Sequence, residues 1–459
     1  MSHLGSTDMP LRVAIVGSGP SAFYAADALM HSGTTVAVAM FDRLPTPYGL
    51  VRAGVAPDHP KIKSVIKVFD RIAAAPGYSF WGNVRIGTDL TVNELRRFFD
   101  VVVFAYGAEK DRALHIPGED LPGSCTATEF VGWYNGHPDY RDRTFDLTAE
   151  TAVVIGQGNV ALDVCRILAK PVDELAHTDI AAHALEALAS SRIRYIHLIG
   201  RRGPAQTKFT AAELKELLTI PDCRVVIDPE YMQLDSISEQ ELALPENAHA
   251  RANMEILRKI GDSHPSTAQK QIHIHFLKSP VALLGTTRLE GVRLEKNRLE
   301  GEPMKLRAVG RGIYQDIPCG LLFRSVGYRG TEMPQVPFDH SRGVIPNRDG
   351  RVVDNGTPVV GFYTCGWIKR GPQGVIGTNK PDAAETVKCI VEDLPRLSPC
   401  EARDDELLHT LLRERGVRVV SFDDWRRIDA AEMERGRAAG KPREKFTRIE
   451  EMLAVLEKA

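Results

Sequence analysis

VAIVGSGPSAFYAADALM, residues Val13–Met30, is the stretch from which the rest of the chain is read. Four apolar residues, Val13 to Val16, form a short buried strand in this reading. Gly17-Ser18-Gly19 follows at once, and Phe23, Ala26, Leu29 and Met30 then recur at helical spacing. Strand, glycine turn and helix in that order match a dinucleotide-binding fingerprint, with Ala22 where a third glycine often stands. Gly17 permits the tight turn. Gly19, lacking a Cβ, lets a pyrophosphate approach the backbone, and the free N–H groups of the helix start face that phosphate. A single motif of this kind also describes a tight turn that holds no ligand.

Moving outward, Thr35–Phe41 reads as the next strand and ends at Asp42. An acid at that place accepts ribose hydroxyls in a dinucleotide fold; the other reading is a solvated loop acid. Residues 43–63, RLPTPYGLVRAGVAPDHPKIK, are dense in Pro and Gly yet carry Tyr48, Leu50, Val51 and Val55. Such a segment follows a specified path, and beside a nucleotide site its apolar residues can wall a flavin ring. A helix is expected over Lys61–Ala75, with Lys61, Lys63, Lys67 and Arg71 mostly on one side, as a solvated face or a docking patch for an acidic partner. Asn83–Gly87 and Asp100–Tyr106 read as further strands, and Ile116–Ser124 as a connector rich in turn residues.

Thr151–Leu168, TAVVIGQGNVALDVCRIL, repeats the opening pattern: apolar strand, Gly156-x-Gly158-x-x-Ala161, amphipathic helix. Two such motifs, each in its own strand–turn–helix setting, carry far more weight than one. The next strand, Tyr195–Ile199, follows a helical insertion around Asp179–Ala189 and ends in Gly200-Arg201-Arg202-Gly203, with no acid. Two guanidiniums there attract a ribose 2′-phosphate that an acid would repel, so this site reads as one for NADP. In Pro204–Ile220, Thr210 is a helix N-cap with Glu213 as its capping-box partner. Glu213 and Glu216 share one face, either as surface acids or as groups near a cofactor.

Residues 228–270 read as a loop plus a surface helix bearing Arg251, Arg258, Lys259 and Lys270. Ile272–Leu277, Arg288–Leu294 and Met304–Ala308 resemble a strand meander, and Leu321–Val326 a core strand. Gly361–Cys365 is another strand, followed by Gly366-Trp367, a turn containing Gly371, Gly374 and Gly377, and a helix over Pro381–Leu394. A helix start there favours negative charge on a reduced flavin ring. Residues 395–459 form a charged helical tail with a strand in Arg413–Phe422 and a helix in Phe446–Leu456; no chemistry is evident in it.

Of 459 residues, 43% are hydrophobic and 26% charged, an ordinary globular balance. Lys plus Arg total 58 against 60 acids, so no global field favours nucleic acid or an anionic membrane. The seven cysteines lack any C-x-x-C spacing, which argues against a disulfide framework, a metal or iron–sulfur site, and a redox dithiol. No apolar run reaches membrane-spanning length and Met1–Pro10 has no signal-peptide core, so a cytoplasmic location is expected.

Taken together, GSGPSA (17–22), PTPYGLVRAGVAPDHPKIK (45–63), GQGNVALDV (156–164), GRRGP (200–204) and CGWIKRGPQGVIGTNKPDA (365–383) resemble the adrenodoxin-reductase-like ferredoxin–NADP(+) reductases. The resemblance implies an α/β fold of two Rossmann-like, three-layer dinucleotide-binding domains. Residues 1–112 and 329–459 would form the FAD domain, and 113–328 an inserted NADP domain. It implies FAD contacts at Gly17, Gly19, Pro20, Ser21, Asp42, Gly49, Leu50, Val84, Trp367, Gly374, Val375 and Ile376. NADP contacts are implied at Arg112, Gln157, Gly158, Asn159, Val160, Arg201, Arg202, Glu213 and Gly374. His59 and Glu216 match residues near the nicotinamide, although His59 in Asp-His-Pro equally suits a turn buttress. Asp42 stands where the family often has Glu, one methylene longer, which makes its ribose contact less direct.

The implied activity is hydride transfer from NADPH to FAD, then single-electron delivery to a ferredoxin-type iron–sulfur protein docked transiently by charge, with a cytochrome P450 system downstream. A disulfide reductase would need a cysteine pair that is missing. An FAD- and NADPH-dependent monooxygenase and a non-catalytic nucleotide-binding redox sensor are the alternatives.

Overall fold

A computed structural model describes residues 3–261 and 268–457; residues 262–267, part of the 228–270 stretch expected as loop and surface helix, lie outside the described residues, as do the first two and last two. The chain divides into two compact units. The first comprises residues up to Val55, His59–Lys110 and everything from Tyr328 onward; the second comprises Ala56–Asp58 and Asp111–Gly327.

The first unit is built on a seven-stranded sheet in the order Asn347–Arg348, Arg351–Asp354, Thr357–Thr364, Val101–Phe104, Leu11–Val16, Val36–Phe41, Tyr78–Trp81. The last five run parallel, and the first two add an antiparallel edge. Leu11–Val16 is buried throughout because the sheet is covered on both faces. Val13 and Ile15 join a core with the helix Pro20–Met30 and the helix Asn379–Asp393, while Ala14 and Val16 join another with Leu95, Phe98 and Leu412. That alternation is the two-residue period of a strand read on both sides.

The second unit carries a six-stranded, wholly parallel sheet ordered Ser124–Thr126, Leu321–Arg324, Thr151–Ile155, Tyr195–Ile199, Lys270–His275, Cys223–Ile227. Ala152 and Val154 face helices, and Val153 and Ile155 face an antiparallel sheet of Lys278–Leu284, Gly291–Glu300 and Arg307–Pro318. The third layer of this unit is therefore a sheet.

Several expected elements differ. Asn83–Gly87 is no strand: Asn83 has φ 60° and Ile86 makes only an isolated bridge, so the edge strand is Tyr78–Trp81. Lys61–Ala75 is two helices, Pro60–Lys63 and Ile66–Ala73, with the Ser64 hydroxyl donating to the Lys61 carbonyl at 2.6 Å between them. Ile272–Leu277 is not part of the meander: its strand is Lys270–His275, which belongs to the parallel sheet. Helix Ala248–Gly261 is no surface element: Met254, Ile256, Leu257 and Ile260 are core. Arg413–Phe422 holds the end of the helix Asp405–Glu414 and a single bridge at Val420.

Candidate functional site

In a parallel sheet, ligands bind beyond the carboxyl ends of the strands, and both glycine turns lie there. Gly17 has φ +105°, and a Cβ on it would lie 2.6 Å from the Ala105 carbonyl oxygen, so the fold itself demands glycine. Gly19 is different. Its φ of −79° suits any residue, and a Cβ would meet nothing within 4 Å. The second unit repeats the division: Gly156 has φ +134° and would drive a Cβ into the Ser325 carbonyl, whereas Gly158, at φ −105°, faces open space. In each turn the first glycine serves the chain, and the second keeps clear a space that the chain does not fill. A phosphate resting on the N-terminus of the following helix fits that space. Pro20 occupies the first position of its helix, where its missing N–H costs nothing.

Around the first turn, Asp42 closes the strand Val36–Phe41. Burial raises its pKa, while the Ser18 hydroxyl and the Leu44 N–H, at 2.9 Å, donate to its two oxygens and oppose that shift. Each oxygen keeps a further lone pair for a ribose hydroxyl. Val84 is fully buried and donates its N–H to the Asp42 carbonyl at 2.9 Å, a support for the strand end. Tyr48 donates its N–H to the Ser18 carbonyl at 2.9 Å, and a Cβ on Gly49 (φ 49°) would lie 3.0 Å from the Gly19 Cα. The 43–55 loop is thus laid directly over the glycine turn. From it Leu50 projects 43% exposed.

Ser21 packs against Gly366, whose φ of +75° and lack of Cβ allow that approach. Gly366 donates its N–H to Asp382 at 2.5 Å, and Lys369 pairs with the same carboxylate at 3.1 Å. Trp367 stacks on Tyr328 with ring centroids 5.6 Å apart and donates its indole N–H to the Gln373 carbonyl at 3.2 Å. Gly374 (φ +84°), Val375, 61% exposed, and Ile376 follow, all in the first unit.

In the second unit Gly156 to Val160 are half-buried, directly after a strand buried from Ala152 to Ile155. Gln157 donates to the His275 carbonyl at 3.3 Å, and Asn159 accepts the Thr210 N–H at 2.8 Å. That bond replaces half of the expected capping box: Thr210 accepts the Glu213 N–H at 3.3 Å, but the Glu213 carboxylate turns to Arg166 at 3.2 Å. Arg166, only 1% exposed, also pairs with Asp58 at 2.8 Å and Asp163 at 2.6 Å, and lies 3.6 Å from Glu216. Asp58 is held well below the usual carboxylate range by Arg166 and Lys170, which overcome its burial. Glu213 and Glu216 are thus set by a buried arginine, a role that spacing alone does not reveal. Asp58 directly precedes His59, which is buried and whose carbonyl accepts the N–H groups of Ile62 and Lys63 at 3.2 Å.

Arg201 is exposed and Arg202 half-buried; neither has an ion-pair partner among the described residues. Burial, and then the neighbouring Arg201, lower the Arg202 pKa against the weaker opposing pull of Glu241. Arg112 is exposed, its N–H bonded to the Gly327 carbonyl at 3.0 Å. Sequence reasoning missed the residues beneath this loop. His197 and His275 meet at 2.9 Å, His275 lies 3.3 Å from Lys278, and Lys278 donates to Gln315 at 2.8 Å. An i, i+2 histidine pair on one strand was the available signal.

No family model matches the chain. It is 43% identical over 468 residues to the human mitochondrial NADPH:adrenodoxin oxidoreductase, covering 99% of this chain and 94% of that one. It is 44% identical over 452 residues to the NADPH-ferredoxin reductase FprA of Mycobacterium leprae, covering 96% of this chain and 98% of that one. Among solved structures, Mycobacterium tuberculosis FprA in complex with NADPH superposes with a TM-score of 0.91 at 42% identity, over 97% of this chain and 99% of that chain. At that identity and coverage, the chain belongs to the family of NADPH:adrenodoxin oxidoreductases and NADPH-ferredoxin reductases.

Proposed function

We propose that this protein passes electrons from NADPH, by way of FAD, to a ferredoxin-type iron–sulfur protein. The observation that carries the reading is the pair of glycine turns, each with a second glycine that only a ligand needs. The first unit is read as the FAD domain and the second as the NADP domain. FAD, when bound, supplies the chemistry, taking up a hydride and giving out electrons one at a time. The chain supplies position. Gly19 and the helix start at Pro20 receive the pyrophosphate, Asp42 receives ribose hydroxyls, and Leu50, Val375 and Trp367 offer apolar surface for a flat ring. Gly158 and the residues Gln157 to Val160 receive the second pyrophosphate, and Arg201 and Arg202 the 2′-phosphate. His59 and, separately, Glu216 are proposed for the nicotinamide end.

For the iron–sulfur partner, the exposed Lys61, Lys67, Arg71, Arg258 and Lys259 are the cations of choice. Arg251 and Lys270 drop out of that set. Arg251 donates to the Leu242 and Leu244 carbonyls at 2.8 and 2.6 Å, and Lys270 to the Leu168 carbonyl at 2.8 Å. A cytoplasmic location is proposed because all seven cysteines are free thiols, as reducing compartments keep them. Among the described residues no helix is long and apolar enough to cross a membrane.

Anaerobic stopped-flow mixing with NADPH, followed by a ferredoxin and cytochrome c, tests the reading. Flavin bleaching and ferredoxin-dependent cytochrome reduction are expected. A flavin that stays oxidised would mark a sensor, and NADPH use tied to hydroxylation of a substrate would mark a monooxygenase.

A further inference from the structure

The backbone of Gly200 to Arg202 is held from outside its own sheet. Lys278 donates its N–H to the Gly200 carbonyl at 3.0 Å, and Leu277 donates its N–H to the Arg202 carbonyl at 3.0 Å. The Asn297 amide donates to the carbonyl of the residue between them, Arg201, at 2.9 Å, and to the Ser279 hydroxyl at 2.8 Å. Asn297 in turn donates its N–H to the Leu277 carbonyl at 2.7 Å. Three consecutive carbonyls of the arginine turn are thereby fixed by the first two strands of the antiparallel sheet and the turn that leads into them.

Two irregularities make this possible. Leu277 has φ 51°, a left-handed conformation that leucine rarely adopts. In Gly291–Glu300, Val292 and Leu294 are buried by alternation, which would next bury Lys296; a register shift between Glu295 and Asn297 exposes Lys296 and buries Asn297, leaving it 5% exposed. A bulge re-aims a side chain in this way, and strain of this kind persists where the surroundings hold it for a purpose.

We propose that Asn297 is a positioning residue for nucleotide specificity. It fixes the Arg201 carbonyl so that the Arg201 and Arg202 guanidiniums stand ready for a ribose 2′-phosphate. This rests on reading that loop as the 2′-phosphate site. Ser279 orients the amide, and the antiparallel sheet exists in part to present both. A pre-set arginine pair binds phosphate without first ordering the loop, so the gain falls on the 2′-phosphate and not on the rest of the nucleotide.

Calorimetric titration of the FAD-loaded protein with 2′,5′-ADP and with 5′-AMP tests this. Asn297→Leu keeps the branched shape and removes both donors. It should weaken 2′,5′-ADP on the order of tenfold while leaving 5′-AMP unchanged, and should raise the KM for NADPH but not for NADH. Ser279→Ala, which leaves the Arg201 contact in place, should show the same selective loss to a smaller degree, and it decides the matter if Asn297→Leu does not fold. Equal weakening of both ligands, or no weakening of either, overturns the proposal. The double variant Arg201→Ala/Arg202→Ala separates the two levels. If it loses 2′,5′-ADP selectively and the Asn297 and Ser279 variants do not, only this inference fails; if it loses nothing, the 2′-phosphate reading fails with it.

Discussion

At the scale of single residues, the two glycines of each turn make opposite demands and so answer to different experiments. Gly17→Ala forces a side chain into positive φ and against the Ala105 carbonyl; we expect a loss of stability of about 2–5 kcal/mol, read as a lower urea midpoint. Gly19→Ala meets neither obstacle, so the apoprotein should unfold at the wild-type midpoint while its FAD affinity falls on the order of tenfold or more. Equal stability losses in both would remove the ligand-clearance argument. These glycines, and the Arg201–Arg202 pair, are legible in the sequence because a few neighbouring residues encode them. For the pair, the expected loss on double alanine substitution is ~10²–10³-fold in NADPH affinity with NADH spared, since hydrogen bonds to charged groups contribute about 1.5–3 kcal/mol each. Asn297 is not legible, because the bulge that buries it breaks the alternation by which a strand is read.

At the scale of elements, the helix Phe422–Ala438 of the C-terminal tail has a task that its charged sequence hides. Glu432, fully buried, takes a bidentate pair from Arg52 at 2.8 and 2.5 Å and a third bond from Arg443 at 3.0 Å. Burial raises the Glu432 pKa, but the two arginines outweigh it and the net shift is downward. Arg52 also lies over the Trp425 ring, whose N–H reaches the Tyr48 hydroxyl at 3.3 Å. The tail therefore grips the same loop that lies over Gly19. Glu432→Gln takes the counter-charge from the buried Arg52 and leaves the half-buried Arg443 with Asp429 alone, which costs about 3–5 kcal/mol; the thermal midpoint should drop, and FAD should be lost more readily on gel filtration. A drop in midpoint with full FAD retention would reduce the helix to a purely structural part. Contacts between residues this far apart leave no periodic trace. The same reason hides the core role of Ala248–Gly261, while the strands ending at Val16, Phe41, Ile155 and Ile199 announce themselves by apolar runs bounded by glycine or an acid.

At the scale of the whole molecule, the near-neutral chain divides its charge unevenly, and docking and acid stability follow from where the charges lie. Lys61, Lys67 and Arg71 are exposed on the first unit. Surface charges more than about 8 Å apart are largely screened at physiological salt, so ferredoxin reduction should slow several-fold as ionic strength rises while NADPH-driven flavin reduction changes little. A parallel loss of both would place the salt effect elsewhere. The second unit holds three histidines whose protonation the fold resists. Burial, then His273 and Lys278, hold His197 down to about 4; burial, then Lys278, His197 and His273, hold His275 down to about 3. Burial, with Arg224, also lowers His273. Unfolded histidine titrates near 6.5. Between there and the folded values the unfolded chain binds more protons, so stability is full above about pH 6.5 and drains away as the pH falls toward 4. Calorimetry at pH 7 and pH 5 should show one transition moving down in acid, and His275→Gln should shrink that movement, because it removes a proton-binding site from the unfolded state while the His275 backbone bonds to Gly200 and Gln157 remain. An unchanged pH dependence in His275→Gln would take the acid response away from this histidine cluster.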